Sequence, residues 1–391
     1  MSDLSTAPAQ PKPRERLSHL KLAGFRSIRS LDLPLRDLNV LIGANGSGKS
    51  NLVGFFNMLS FLLSEHLQLY IQRKGAASSV LHYGPQVTPV LSAKLSFLGS
   101  DGTSAYEFSL AFAAPDRLIF TDERVAFQNT GKPKPFARSL GSAHTETQLK
   151  ATASSETDSA PRTVARVFLR RLQELQVYHF HDTSEAASIR TNQDLDRNQY
   201  LLSTGGNLAA FLYMLEQSYP AHYERIVATI RLAVPYFRGF VLKPDRLNPK
   251  RIALRWHNGN PDYEFGPHQL SDGSLRAIAL IAALMQPEEL LPGLIIIDEP
   301  ELGLHPSAIS TIAQLIQAVS AKRQVLVATQ SPRLIAAFAP EDVVVVERRE
   351  DERGYGESTF QRLNPESLGE WMDRYDLGQL YEMNVTGGGP Q

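Results

Sequence analysis

Apolar residues fall along the chain in two rhythms. Short unbroken runs at Leu38–Ile42, Leu294–Ile297 and Gln324–Ala328 have the length and character of strands buried on both faces. Longer stretches repeat apolar positions at helical spacing: Lys49–Leu63, Ser271–Met285, Pro306–Val319 and Pro332–Phe338. A further strand is expected at Asp342–Glu347 and a helical segment over Pro365–Asn384, before a short tail from Gly387. Strands alternating with helices of this length predict a mostly parallel sheet with helices on both faces.

A different pattern precedes and interrupts that alternation. His19–Phe25 reads as a strand, and Pro89–Leu98, Ser104–Ala113 and Leu118–Gln128 read as three more. The turn signal Gly99-Ser100-Asp101-Gly102 joins the first pair of these three, so an antiparallel meander is expected. Arg162–Gln176, Asn207–Ser218 and His222–Val234 are amphipathic helices, with a short strand at Val177–His181. Phe237–Leu242 and Arg251–His257 return to strand. The expected organisation is an arm over 1–17, a first lobe over 18–129, a linker over 130–161, a helical insert over 162–236 and a second lobe over 237–391. The arm is polar and proline-rich and reads as disordered, and the linker is rich in Ser, Thr, Ala and Lys.

Composition narrows the function without naming it. The chain holds 40 Lys and Arg against 41 Asp and Glu, a net charge of −1. That balance argues against a polycation or an acidic tail, though a local basic face is still compatible with nucleic acid. Cysteine is absent, which excludes disulfides, thiolate zinc sites and a cysteine nucleophile, and suits a reducing cytoplasm. No apolar stretch reaches the roughly 18 residues of a membrane span.

Chemistry concentrates in three short motifs. Gly43-Ala44-Asn45-Gly46-Ser47-Gly48-Lys49-Ser50 satisfies G-x-x-x-x-G-K-S/T after a strand and before a helix. Glycines let backbone N–H groups converge on phosphates, the helix N-terminus adds positive charge, Lys49 reaches the β- and γ-phosphates and Ser50 can ligate Mg²⁺. A Gly/Ser-rich turn with an exposed lysine is the plain alternative. Leu294–Ile297 ends in Asp298-Glu299-Pro300, where adjacent acids can divide labour: Asp298 for Mg²⁺, Glu299 to polarise the attacking water. Leu270-Ser271-Asp272-Gly273-Ser274 opens a helix, where Ser271 is at the least an N-cap.

Taken together, the P-loop, the LSGGQ-like "LSDGS" and "LIIIDEPELGLHP" resemble the ATP-binding-cassette heads of the SMC/RecF class. More narrowly they resemble standalone, OLD-like ATPases of bacterial genome-maintenance and phage-defence loci. "FRSI" before the P-loop, "YHFHDTS" at Tyr178–Ser184 and "LGQLYEMN" near the C-terminus add weaker likeness. The resemblance implies a two-lobed α/β head that binds ATP and Mg²⁺, with two copies sandwiching two nucleotides. Ser271 and the Gly273 N–H would then meet the γ-phosphate in trans, with Leu302–His305 as the D-loop. It also implies a homodimer acting on DNA or on a separate, nuclease-like effector. The stretch after Glu347 is too short for the toprim nuclease domain that OLD-like relatives often carry.

The chain departs from that pattern in places. Asp272 replaces the first glycine of the signature and puts an acid near the expected anion site. Gln330 stands where transporter cassettes carry a switch histidine, and an amide cannot hold a proton, so hydrolysis is expected to be slow. The Q-loop glutamine has two candidates, Gln72 and Gln86. His179 and His181 suggest a metal site but lack a third ligand. Between Arg238 and Arg255 six cations face one acid, Asp245, either as a solvated face or as a phosphate-backbone contact. Arg162, Arg166 and Arg170 share one face of a helix. The competing functions are a scaffold glued by ATP without hydrolysis and the energising subunit of a transporter.

Overall fold

The computed structural model describes residues 15–131, 135–155, 160–260 and 262–389. In chain order the elements begin with strands β1 (Arg16–Phe25), β2 (Ile28–Pro34) and β3 (Leu38–Ile42). Helices α1 (Lys49–Leu63), α2 (Leu67–Arg73) and α3 (Ala76–Val80) follow. Strands β4 (Val90–Gly99), β5 (Gly102–Ala113), β6 (Arg117–Asn129) and β7 (Phe136–Gly141) come next. Helices α4 (Leu149–Ala153) and α5 (Ala160–Gln173) lead to β8 (Leu175–Tyr178) and β9 (Gln193–Asp194). Helices α6 (Leu208–Ser218) and α7 (Pro220–Ala233) precede the short strands β10 (Gly239–Val241), β11 (Arg251–Ile252) and β12 (Arg255–His257). The final alternation is α8 (Asp272–Met285), β13 (Leu294–Asp298), α9 (Pro306–Ser320), β14 (Gln324–Thr329), α10 (Pro332–Ile335), β15 (Val343–Glu350), β16 (Gly356–Arg362) and α11 (Leu377–Glu382).

Two six-stranded sheets organise these elements. One is antiparallel in the order β2-β1-β4-β5-β6-β7 and contains the expected meander. The other runs β16-β15-β3-β14-β13-β8 and is parallel except for β16. Its central strands alternate between two cores, as a period of two requires. Leu38, Val40 and Ile42 face the core beneath α6–α9, with Ile295, Ile297, Val325 and Val327. Leu41, Leu294, Ile296, Leu326 and Ala328 face the core shared with α1 and the meander. Truncating Ile296 to Ala in such a layer costs about 2–5 kcal/mol. The α/β head with parallel core, meander and helical insert is therefore the observed architecture.

Several expected boundaries shift. Of the arm expected over 1–17, residues 1–14 lie outside the described residues, while Arg16 and Leu17 already belong to β1. The stretch 130–161, read as a linker, carries β7 and α4, with 132–134 and 156–159 outside the described residues. β7 is an edge strand with no fully buried residue, so it leaves no apolar alternation to read. Pro365–Asn384, expected as helix, is mostly 3₁₀ turns at Pro365–Ser367 and Gly369–Asp373, with only α11 fully α-helical.

Candidate functional site

Sheet order brings the sequence motifs to one edge. β3, β14, β13 and β8 lie side by side and parallel. The P-loop, Gln330, the Asp298-Glu299 pair and the segment after Tyr178 therefore all leave from adjacent carboxyl ends, where α/β sheets bind ligands.

The P-loop is built to receive an anion. Gly46 and Gly48 have φ of 80° and 115°, left-handed values that glycine adopts without steric cost. A Cβ on Gly48 would sit 2.0 Å from the Ser358 hydroxyl, so β16 packs directly on the loop. No side chain caps the N-terminus of α1, and the Ser47 hydroxyl is buried without a partner. Lys49 is 4% exposed, and its Nζ donates to the Gly43 and Ala44 carbonyls at 2.5 and 3.1 Å. Burial pulls its pKa down against the pull of Glu299, Asp298 and Glu301. An orphan hydroxyl, free helix N–H groups and a buried ammonium fit a phosphate chain.

The acids close the other side. Ser50 Oγ donates to Asp298 Oδ1 at 3.4 Å, a pair of hard oxygens of the kind that hold Mg²⁺ with several of its waters. Burial holds the Asp298 carboxyl above its usual range, opposed chiefly by the Ser50 hydrogen bond. Glu299 has a φ of 45°, a conformation a non-glycine residue keeps only when its surroundings enforce it. Its N–H donates to the Ala328 carbonyl at 2.8 Å. Gln330 is half-buried at the end of β14, and its N–H donates to Glu301 Oε1 at 3.2 Å. Glu301 also accepts from Thr329 Oγ1 at 2.6 Å, while its Oε2 is buried without a partner. Burial raises its pKa too. Glu301, to which the sequence motifs assign no role, thus anchors the start of the turn after β14.

The signature is built differently. Ser271 caps α8, its Oγ accepting the Ser274 N–H at 3.2 Å. A Cβ on Gly273 would lie 2.0 Å from the Gly303 carbonyl oxygen, so the signature and the Leu302–His305 turn touch backbone to backbone. Asp272 is not a loose acid at an anion site, as its position had suggested. Arg190, with 6% of its side chain exposed, donates to its carboxylate at 2.8 Å, and this bond holds the Asp272 pKa down.

Other expectations resolve plainly. Gln72 lies in α2 and Gln86 in a turn before β4, and neither follows a strand of the parallel sheet. Beside β13 the chain instead delivers His179 and His181; His181 Nε2 donates to the Asp298 carbonyl at 2.9 Å. No group of three metal-binding side chains occurs among the described residues. Burial first, then His181 and Lys74, lowers the His179 pKa. In the basic segment, Arg251 pairs with Asp194 at 2.8 Å, and Lys243 and Arg255 approach Glu264 at 3.7 and 3.6 Å. Arg238 turns onto the Pro235 carbonyl. Arg166 donates to the Ala153 carbonyl and Arg170 lies 3.8 Å from Glu15. Most of these cations thus satisfy the fold.

The tail is also more than a tail. Gly388 N–H donates to Glu347 at 3.1 Å and packs near Gly43, while the Tyr381 phenol meets the Gly43 backbone. Glu347, Asn384, Gly388 and Ala44–Ser47 line a cavity of about 680 Å³, together with Arg348 and Arg349. Neither the signature nor Lys49, Ser50, Asp298, Glu299 or Gln330 lines it.

Comparison with known structures and families agrees with this architecture. An SMC head bound to the C-winged-helix domain of ScpA is similar over 91% of this chain and 99% of its own, at 14% identity and a TM-score of 0.56. An SMC head with an extended coiled coil, bound to the C-terminal domain of ScpA derived from Pyrococcus furiosus, is similar over 92% and 99%, at 13% identity and a TM-score of 0.50. No curated protein sequence matches the chain. Residues 38–336 match the family described as "AAA domain, putative AbiEii toxin, Type IV TA system". That match spans most of the chain, including the Gly43–Ser50 loop and the Asp298-Glu299 pair; the protein belongs to this family and has the fold of an SMC head.

Proposed function

We propose that this head binds ATP with Mg²⁺, dimerises through two shared nucleotides and hydrolyses them slowly, using the closed-to-open cycle to control a separate effector protein. The observation that carries the reading is the split between half-sites. The P-loop, Asp298, Glu299 and Gln330 leave adjacent strand ends, while the signature serine caps a separate helix, α8, and stands in solvent. A second head would bring its signature to those strand ends.

In this reading Lys49 and the P-loop N–H groups bind the phosphates, and Ser50 and Asp298 hold Mg²⁺, which screens the phosphate charge when bound. Glu299 orients water and accepts its proton, Gln330 positions that water, and Ser271 with the Gly273 N–H completes the site from the partner head. We read the setting as cytoplasmic; no helix among the described residues is long and apolar enough to cross a membrane. Three of the six cations in the basic segment, Lys243, Arg251 and Arg255, already face carboxylates of this chain, which favours a protein effector over DNA. The similar heads whose structures hold ScpA domains are bound to a separate protein as well. Genome maintenance and phage defence are the settings that suit such a head.

Glu299→Gln tests this. Nucleotide affinity should hold, turnover should fall by about 10²–10⁴, and an ATP-dependent dimer should accumulate in sedimentation velocity. A variant that turns over like the parent, or a chain that stays monomeric in every nucleotide state, rejects the proposal.

A further inference from the structure

The segment Tyr178–Ser184 has no part in the mechanism above, yet it is bolted to two of the motifs that do. His181 donates through Nε2 to the Asp298 carbonyl at 2.9 Å. Its own carbonyl accepts from Arg276 Nη2 at 2.7 Å. Arg276 stands on α8, in the turn after the signature, and the same guanidinium donates to the Phe180 carbonyl at 3.2 Å and the Leu302 carbonyl at 3.1 Å. One planar fork thus holds three carbonyls from two segments, a task the single point charge of lysine does not duplicate. On the far side, Arg190 ties the same segment down by donating to the Thr183 carbonyl at 2.7 Å, the Leu270 carbonyl at 3.2 Å and the Asp272 carboxylate.

We infer that His181 and Arg276 are positioning residues that link the cis half-site to the trans-acting signature and D-loop of the same head. Two hydrogen bonds in series, from the Asp298 carbonyl to His181 and from the His181 carbonyl to Arg276, connect the end of β13 to α8 and to Leu302. A shift of Asp298 on loading one site is then carried to the surface that completes the other. Coupling through a contiguous hydrogen-bonded chain of this kind is worth measurable rate effects, and here its links run through main-chain carbonyls.

The inference rests on the function proposed above, and the test separates the two. His181→Phe keeps an aromatic ring but removes the donor; His181→Gln restores an N–H at similar reach. With the full-length chain and Mg²⁺-ATP, His181→Phe should bind nucleotide within about two-fold of the parent, while kcat falls about ten-fold. His181→Gln should recover most of that loss. Arg276→Met should lower kcat by a similar factor, and the double variant should be no slower than either single one. If Arg276→Met fails to fold, the histidine pair decides the matter alone. Parent-like turnover and dimerisation in His181→Phe, no recovery in His181→Gln, or losses that multiply in the double variant overturn the link. If the unsubstituted chain neither dimerises nor hydrolyses ATP, the function itself has failed and this inference falls with it.

Discussion

At the P-loop edge, Lys49 and Asp298 are only 4% and 9% exposed, and Ser47 is buried; at the start of α8, Ser271 and Asp272 stand in solvent. The first half-site has its charges already desolvated before any ligand arrives, Lys49 held on the Gly43 and Ala44 carbonyls and Asp298 on Ser50. The second keeps its polar groups hydrated and fixed by neighbours behind them, Arg190 and Arg276. Desolvated, preorganised groups bind tightly on their own because the reorganisation cost is met in folding. A solvated cap with a free helix end suits a contact made only when another surface arrives. The contrast predicts which substitutions abolish binding and which abolish only assembly.

The largest effect belongs to the buried half. Lys49→Ala removes a charged donor, and charge-assisted hydrogen bonds of this kind contribute about 1.5–3 kcal/mol each. Nucleotide affinity should fall by at least about 100-fold in equilibrium dialysis. Unchanged affinity would mean the loop is a Gly/Ser-rich turn and no more.

Next comes the exposed half. Ser271→Arg should leave affinity within about two-fold, since Ser271 caps α8 and stands in solvent, yet turnover should drop to background as the bulky cation blocks closure. Mixing this variant with Lys49→Ala should restore part of the activity, because one mixed pair contains an intact P-loop facing an intact signature. Failure of that complementation would remove the trans assignment while leaving cis binding untouched.

A smaller effect is expected where the two halves meet the water. Gln330→Ala should slow single-turnover hydrolysis by about ten-fold with binding intact. The parent should show no Gln330-dependent ionisation between about pH 6 and 8, while Gln330→His introduces one. An Ala variant as fast as the parent would make Gln330 a helix-entry residue before α10.

What could be read in advance follows the same divide. The parallel strands and the P-loop were legible because LNVLI, LIII and QVLVA are buried on both faces and leave nearly unbroken apolar runs. The pairing of Arg190 with Asp272 was not, because a single contact across 82 positions has no period. Ser358 behind Ser47, 311 positions away, and Gly388 against Gly43 escape for the same reason. Glu301 was visible as a letter of the DEPELGLHP run, but its hold on Thr329 and Gln330 depends on β13 and β14 being neighbours. His181 reads as half of a metal pair until its partner proves to be a main-chain carbonyl.

The smallest effect concerns stability and sharpens the contrast most directly. Burial holds the Asp298 carboxyl above its ordinary range. The native state therefore keeps a proton that the unfolded chain has shed, and stability falls as pH climbs from the ordinary carboxylate range through the raised value. Above that value the full loss remains, as the cost of a buried charge awaiting a cation. Asp298→Asn removes the charge and can still accept from Ser50, so the nucleotide-free variant should melt higher at pH 7.5, by about 2 °C. Near pH 3 the difference should vanish, since both chains are then neutral at this position. Adding Mg²⁺-ATP should reverse the order, because the parent gains the larger share of ligand stabilisation. A nucleotide-free Asp298→Asn that melts below the parent at neutral pH would show a carboxylate serving the fold, and the buried half-site would lose its claim to be strained toward binding.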